Sequence, residues 1–183
     1  ILFDASASML AERVVDIVRL RNLPAAEQRQ AAKWRRALAT LDWIATQIPP
    51  GSRFQIYAFN ERAKTVVRES AGRWLDAGDP AVLNGAVDAA KKIVPAGGTS
   101  LRHAFKVVSE LKPRPDNVFL VTDGLPTIDR ERGERYTIAG GERLRYFDEA
   151  LASLPRGIPV NVILLPMEGD PMAASAFWRL AQV

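Results

Sequence analysis

Short apolar runs alternate with longer amphipathic segments along this chain. Four of the runs are rich in β-branched or aromatic residues and are predicted to be strands: ILF (1–3), FQIYAF (54–59), NVFLVT (117–122) and VNVILL (160–165). A fifth run, KTVVRE (64–69), follows the second across NERA, and its alternation predicts an antiparallel hairpin partner. Nearly continuous apolar strands that alternate with helices are typical of a parallel sheet covered on both faces.

The segments between these runs carry apolar residues at the spacing of an amphipathic helix. The longest predicted helix runs from about Pro24 to Gln47, with a proline in its first turn. Others are predicted at about 80–94, 100–111, 144–154 and 171–183. The fold class is therefore α/β: a doubly wound, mostly parallel sheet with one antiparallel edge strand and helices on both faces.

Composition narrows the classes of function. The chain has 183 residues, 48% hydrophobic and 25% charged, which is typical of one globular domain over 1–183. Its net charge of +4 is too small and too scattered to indicate a nucleic-acid partner. Without cysteine there is no disulfide, thiolate nucleophile or Cys-ligated zinc, and no run approaches the roughly 18 apolar residues of a membrane span. Because the chain opens within a strand and ends within a helix, we expect a domain of a longer protein. We expect this domain to be monomeric.

Polar oxygens follow the predicted strands at one edge of the sheet. Asp4, Ser6 and Ser8 follow the first strand, Thr99 lies in PAGGTS, and Asp123 ends the 117–122 strand. Because ligands bind outside the carboxyl ends of parallel strands, we expect these side chains to form one site. Two carboxylates and three hydroxyls, without histidine or cysteine, suit a hard divalent cation such as Mg²⁺. The Asp-x-Ser-x-Ser spacing turns three side chains the same way if the segment is extended. The alternative is a polar strand end that caps a helix.

Three motifs, in this order, resemble the von Willebrand factor A domain over nearly the whole chain: DASAS (4–8), GGT (97–99) and TDG (122–124). The resemblance implies a Rossmann-like sheet and a metal-ion-dependent adhesion site that holds Mg²⁺ or Mn²⁺ rather than Ca²⁺. It implies that Asp4 and Asp123 act on the metal directly or through water and that the hydroxyl ligands are Ser6, Ser8 and Thr99. It also implies a binding role rather than a catalytic one.

The chain departs from this family pattern at Ala7, where members often carry glycine, and the added methyl could narrow the approach to the ion. The connections 10–23 and 124–143 exceed the roughly two to six residues usual in α/β units, so each is either functional or a tolerated surface insertion. The mixed-charge run 130–145 leaves the same sheet edge as Asp123 and could reach a docked partner. Glu131 within it, or Asp129 directly before it, could close over an empty site as a surrogate ligand.

We expect a metal-dependent protein-interaction module, not an enzyme, in which a partner supplies an Asp or Glu to the metal. One alternative is a scaffold domain in a larger bacterial envelope or ATPase-associated assembly. The family resemblance and the absence of cysteine lean towards a bacterial cell-envelope protein without fixing its location. Another is an Mg²⁺-dependent hydrolase. Against a hydrolase, Ser6 stands where Asp-x-Asp phosphatases have their second acid, and no P-loop motif is present. His103 is a lone histidine, expected on a helix surface, and has no partner for a catalytic triad. Ser100 is expected to cap that helix.

Overall fold

The computed structural model describes residues 1–128 and 138–182. Its strands are β1 (Leu2–Asp4), β2 (Arg53–Phe54), β3 (Tyr57–Phe59), β4 (Ala63–Thr65), β5 (Leu75–Asp76), β6 (Val118–Thr122) and β7 (Val160–Leu164). Its α-helices are α1 (Val14–Leu20), α2 (Ala25–Gln28), α3 (Ala32–Thr46), α4 (Pro80–Lys91), α5 (Leu101–Glu110), α6 (Gly140–Leu151) and α7 (Ala173–Leu180). A 3-10 helix spans Ala7–Leu10.

The main sheet has the order β4-β3-β1-β6-β7. Strands β3, β1, β6 and β7 are parallel, and β4 pairs antiparallel with β3 at the edge, which confirms the predicted fold class. The chain moves outward from β1 on one side and later resumes on the other side with β6. The connections therefore diverge between β1 and β6, which is where open α/β sheets bind ligands.

Both faces of the sheet are buried, as the apolar strands predict. In β1, Leu2 packs into one core and its neighbour Phe3 into the other, because successive side chains of a strand point to opposite faces. The ring of Phe3 lies 5.1 Å from that of Trp34 on α3. On the other face, the Phe147 ring of α6 lies 5.1 Å from Phe177 of α7. The two cores hold β1 and β6 rigidly beneath the loops that carry the candidate residues.

Two predicted strands are shorter than their apolar runs. The 54–59 run is divided, because β2 pairs antiparallel with β5 in a separate sheet while β3 joins the main sheet. Gln55 is the cause: its buried side chain accepts from Ile56 N and donates to the carbonyls of Ser70 and Arg73. The predicted edge strand at 64–69 is β4, which spans Ala63–Thr65 only.

The helix predicted from Pro24 to Gln47 is also divided, into α2 and α3. Ala31 is not helical (φ −54°, ψ 132°), and the side chain of Gln28 donates to the carbonyls of Arg21 and Leu23. The short α2 is thus tied to the end of the preceding segment, and α3 begins in a new direction. The 10–23 connection contains α1. None of the helices in residues 1–128 and 138–182 is both long and apolar enough to cross a membrane.

Candidate functional site

Asp4 lies at the carboxyl end of β1, next to the end of β6. The parallel register pairs Leu2 with Leu120, so Asp4 comes beside Thr122, whose hydroxyl donates to Asp4 Oδ2 at 2.6 Å. The other oxygen, Oδ1, accepts from the backbone N–H of Ser6 at 2.8 Å. Asp4 is fully buried, and each of its carboxylate oxygens has a partner. It is therefore held in one orientation.

The two serines connect this edge to Asp123. The hydroxyl oxygens of Ser6 and Ser8 are 2.9 Å apart, and the Ser8 hydroxyl donates to Asp123 Oδ1 at 2.9 Å. The Ser8 hydroxyl therefore bridges Ser6 and Asp123. The segment is extended through Ser6 (φ −71°, ψ 164°) but then turns into the 3-10 helix, so the condition of an extended Asp-x-Ser-x-Ser is met only as far as Ser6. The tight turn still brings both hydroxyls together.

Thr99 lies on the neighbouring loop. Ala7 N donates to Gly97 O at 3.0 Å and Ala96 N donates to Ala5 O at 2.9 Å, which fixes this loop against DASAS. Thr99 is buried, and its own N–H donates to the hydroxyl of Thr127 at 2.9 Å. The structure thus joins four of the five predicted residues in one chain of hydrogen bonds and places the fifth in the adjoining loop.

The two glycines before Thr99 allow this close packing. Gly97 has φ +75°, a conformation that side chains disfavour. At Gly98, an added Cβ would lie 2.7 Å from Ile128 Cδ1 and 2.8 Å from Thr127 Oγ1. The PAGGTS loop can therefore approach residues 127–128 only because position 98 has no side chain.

The Asp123 carboxylate influences the charge of Asp4. Burial, and then the nearby Asp123 carboxylate, raise the pKa of Asp4 from 3.8 to about 7, although the hydrogen bonds from Thr122 and Ser6 oppose this shift. A buried acid that resists ionisation indicates a place where a positive charge is stabilising.

Lys33 is part of this site and was not predicted from the sequence. Its ammonium, at the start of α3, donates to Asp123 Oδ2 at 2.6 Å, and both side chains are 2% exposed. A signal was present: Lys33 shares the helical stripe of Ala37 and Leu41, both fully buried, and a lysine in an apolar stripe requires a buried partner. The partner is 90 residues away in the chain, beyond the reach of local pattern.

A second ion pair, partly buried and also missed, holds the loop after Asp123. Asp170 Oδ2 accepts from Arg143 Nη2 at 2.7 Å and from the backbone N–H of Leu125 at 2.7 Å. An added Cβ at Gly124 would lie 2.6 Å from the same oxygen, so the TDG motif needs glycine for this contact. The position of Asp123 thus depends on α6 and on the loop that follows β7, as well as on β6.

Ser100 and His103 form a pair that differs from expectation. Ser100 occupies the N-cap position of α5 but makes no side-chain cap hydrogen bond; its hydroxyl lies 3.1 Å from His103 Nδ1. Histidine thus has a hydroxyl partner on its own helix. Ser100 is 0% exposed, so a substrate cannot reach this hydroxyl as it stands.

Asp129, Glu131 and the first half of the 130–145 run (130–137) lie outside the described residues. Within residues 1–128 and 138–182, no cluster of three or more Asp, Glu, His or Cys side chains is arranged to hold a metal. A metal at this edge would therefore depend on hydroxyl oxygens. The donors fit a hard cation, because all of them are oxygens and because two buried carboxylates face the single positive charge of Lys33.

Comparisons with known proteins identify the fold. No family model and no curated protein matches the chain. Among solved structures, the chain is similar to "von Willebrand factor type A from Catenulispora acidiphila", with a TM-score of 0.52 and 18% identity over 99% of this chain. The chain spans 40% of the length of that protein chain. It therefore has the Rossmann-like α/β fold of a von Willebrand factor type A domain.

Proposed function

We propose that this domain binds Mg²⁺ or Mn²⁺ at the DASAS edge of the sheet and that the ion holds an acidic group of a protein partner. The observation that carries the proposal is the convergence of Asp4, Ser6, Ser8 and Asp123 in one hydrogen-bonded cluster at the point where the sheet connections diverge. Residues 8 and 123 are 115 positions apart, so only the fold brings these oxygens together.

Each residue would have a distinct part in holding the ion. The hydroxyls of Ser6, Ser8 and Thr99 are neutral donors, and the carboxylates of Asp4 and Asp123 supply the balancing charge directly or through water. Neutral donors leave a bound ion electrophilic, so that it can attract a carboxylate from outside. The resemblance to von Willebrand factor A domains supports a binding role rather than catalysis. The same resemblance favours Mg²⁺ or Mn²⁺ over Ca²⁺ as the bound ion.

Removing a single hydroxyl tests the metal site. Thr99→Val keeps the shape of the side chain and removes one proposed ligand. Ser100→Ala is the matched control, because it removes the next hydroxyl, equally buried but paired with His103. After EDTA treatment, Mg²⁺ at about a hundred times its dissociation constant is expected to stabilise wild type and Ser100→Ala by about 2.7 kcal/mol in a thermal melt. Thr99→Val is expected to gain much less at the same concentration. No gain in wild type would contradict the proposal.

The partner class has its own test. A peptide display library is selected on the immobilised domain in Mn²⁺ and eluted with EDTA. Enriched peptides are expected to share an Asp or Glu, and synthetic versions with Asn or Gln at that position are expected to lose binding. Enrichment without an acidic residue would contradict a carboxylate partner while leaving metal binding intact.

The alternative is a scaffold domain that uses this fold without a metal. One observation favours it: Lys33 already gives Asp123 a positive partner, so the metal-free site is partly neutralised. This alternative predicts that neither EDTA nor Mg²⁺ changes the melting temperature or the partners that the domain captures.

A further inference from the structure

Lys33 occupies a position that is unfavourable for a lysine. It lies in the first turn of α3, where the helix dipole disfavours a cation, and it is almost completely buried. Its ammonium group donates to three oxygens: Asp123 Oδ2 at 2.6 Å, Ser8 O at 3.1 Å and Ala11 O at 3.1 Å. These three oxygens, together with Met167 Sδ at 3.9 Å, surround the ammonium group and its three N–H donors. The ammonium thus has an oxygen shell that is built in part from two candidate metal-binding residues.

We propose that Lys33 is a tethered cation that competes with the divalent ion for Asp123 and weakens the affinity of the site for metal. This inference rests on the proposed metal-binding function. Asp123 Oδ2 is engaged by the ammonium, and Oδ1 accepts from Ser8. A divalent ion that uses Asp123 must share it with a positive charge fixed a hydrogen bond away, and like charges in a buried site repel strongly.

Lys33 also changes the charge of the loaded site. Two ionised carboxylates balance a divalent ion, so the ammonium adds one uncompensated positive charge. An acidic group that binds at this edge removes that excess. Lys33 is therefore a positioning residue, acting through Asp123, that makes the affinity for metal higher when an acidic partner is bound, whereas a lysine-free site would bind metal tightly without a partner.

Lys33→Met tests this competition, because methionine keeps the aliphatic length and removes the charge. We expect Mn²⁺, measured by titration in the absence of any partner, to bind Lys33→Met about tenfold or more tightly than wild type, since a nearby unit charge is lost. A lysine that served only as structural support would give weaker binding when removed. Arg36→Met is the matched control: it removes one positive charge from the same helix, but its partner Glu12 and the arginine itself are exposed. It is expected to bind Mn²⁺ like wild type.

The outcomes separate the two proposals. If wild type binds Mn²⁺ and Lys33→Met binds it more tightly, both the metal site and the competition by Lys33 are supported. Binding in Lys33→Met alone supports the competition and overturns metal dependence of the natural protein. Equal or weaker binding in Lys33→Met overturns the competition, and no binding in either protein overturns both proposals. Lys33→Gln, which removes the charge but keeps an N–H donor, is measured alongside and is the deciding variant if Lys33→Met does not fold.

Discussion

Asp4 shows how a single side chain combines structural and chemical roles. Its carboxylate organises the loop by accepting from Ser6 N and from the Thr122 hydroxyl, yet it is buried beside a second carboxylate. Burial and Asp123 together raise its pKa to about 7. In the metal-free protein near neutral pH, Asp4 is thus close to the midpoint of its titration.

This shift predicts how the stability of the metal-free domain depends on pH. The folded state holds the Asp4 proton more tightly than the unfolded chain, where the pKa is about 3.9, so the stabilisation is complete below that value. It is lost as the pH rises through about 7. Between pH 5 and pH 8, wild type in EDTA is expected to lose on the order of a few kcal/mol of unfolding free energy relative to Asp4→Asn, as measured by urea denaturation.

Asp88→Asn is the control for this comparison. Asp88 is an exposed carboxylate paired with Lys91, which lowers its pKa, so it stays ionised over the whole range and its variant should follow wild type. Saturating Mg²⁺ is expected to reduce the pH dependence of wild type, because it binds the ionised form of Asp4. Parallel curves for wild type and Asp4→Asn in EDTA would show that Asp4 is ionised in the folded state throughout.

Among the elements, the PAGGTS loop depends on a close approach to the loop after β6. The Cβ that is missing at Gly98 would contact Ile128, whose side-chain tip can rotate away, and the Thr127 hydroxyl, which cannot move without releasing the Thr99 N–H. The loop before α5 and the loop after β6 are thereby held together. This contact helps to position Thr99, which lies in a loop outside any strand or helix.

Gly98→Ala is therefore expected to damage the site as well as the fold. We expect a loss of about 1–3 kcal/mol in unfolding free energy, typical of overpacking, and a smaller gain in melting temperature on adding Mg²⁺. Gly85→Ala is the control, since this glycine lies within α4 with nothing near its missing Cβ. It is expected to stabilise the domain by about 0.5–1 kcal/mol and to leave the Mg²⁺ response unchanged. An unchanged Mg²⁺ response in Gly98→Ala would show that Thr99 is positioned by other contacts.

In the molecule as a whole, the candidate site lies at one end of the parallel strands. The carboxyl ends of β1 and β6 carry the oxygens, and the cores on both sides of the sheet support these strands from below. At the opposite end of the parallel strands lies a cavity of about 500 Å³, whose lining includes Ile1, Ile48 and Trp74. These side chains are aliphatic or aromatic, unlike the oxygen donors of the candidate site. Metal binding at the candidate site should leave this cavity unaffected.

Hydrogen exchange is expected to show that metal binding acts at only one end of the parallel strands. Saturating Mn²⁺ should slow amide exchange in 4–10, 96–100 and 122–128, since a bound ion restrains the local opening of these loops. Exchange in 47–55 and 111–117, at the far edge, should not change. Protection spread evenly over the domain would instead indicate general stabilisation with no localised site.

The sequence alone determined the class of fold and most of the candidate site. Apolar runs with strand composition and intervening helical periodicity identify the four main strands and the edge strand, because these patterns record which faces are buried. The order of motifs placed Asp4, Ser6, Ser8 and Asp123 at one sheet edge, and the structure brings them together there. That a metal binds them stays a prediction.

The tertiary structure decided the features that depend on partners distant in the chain. Gln55 divides a run that reads as one strand because it bonds to carbonyls 15 and 18 residues away. Lys33 reaches Asp123 only because α3 packs over the DASAS turn, and no local pattern encodes which buried charge will meet which. Periodicity specifies burial, whereas the pairing of buried polar groups is set by packing in three dimensions.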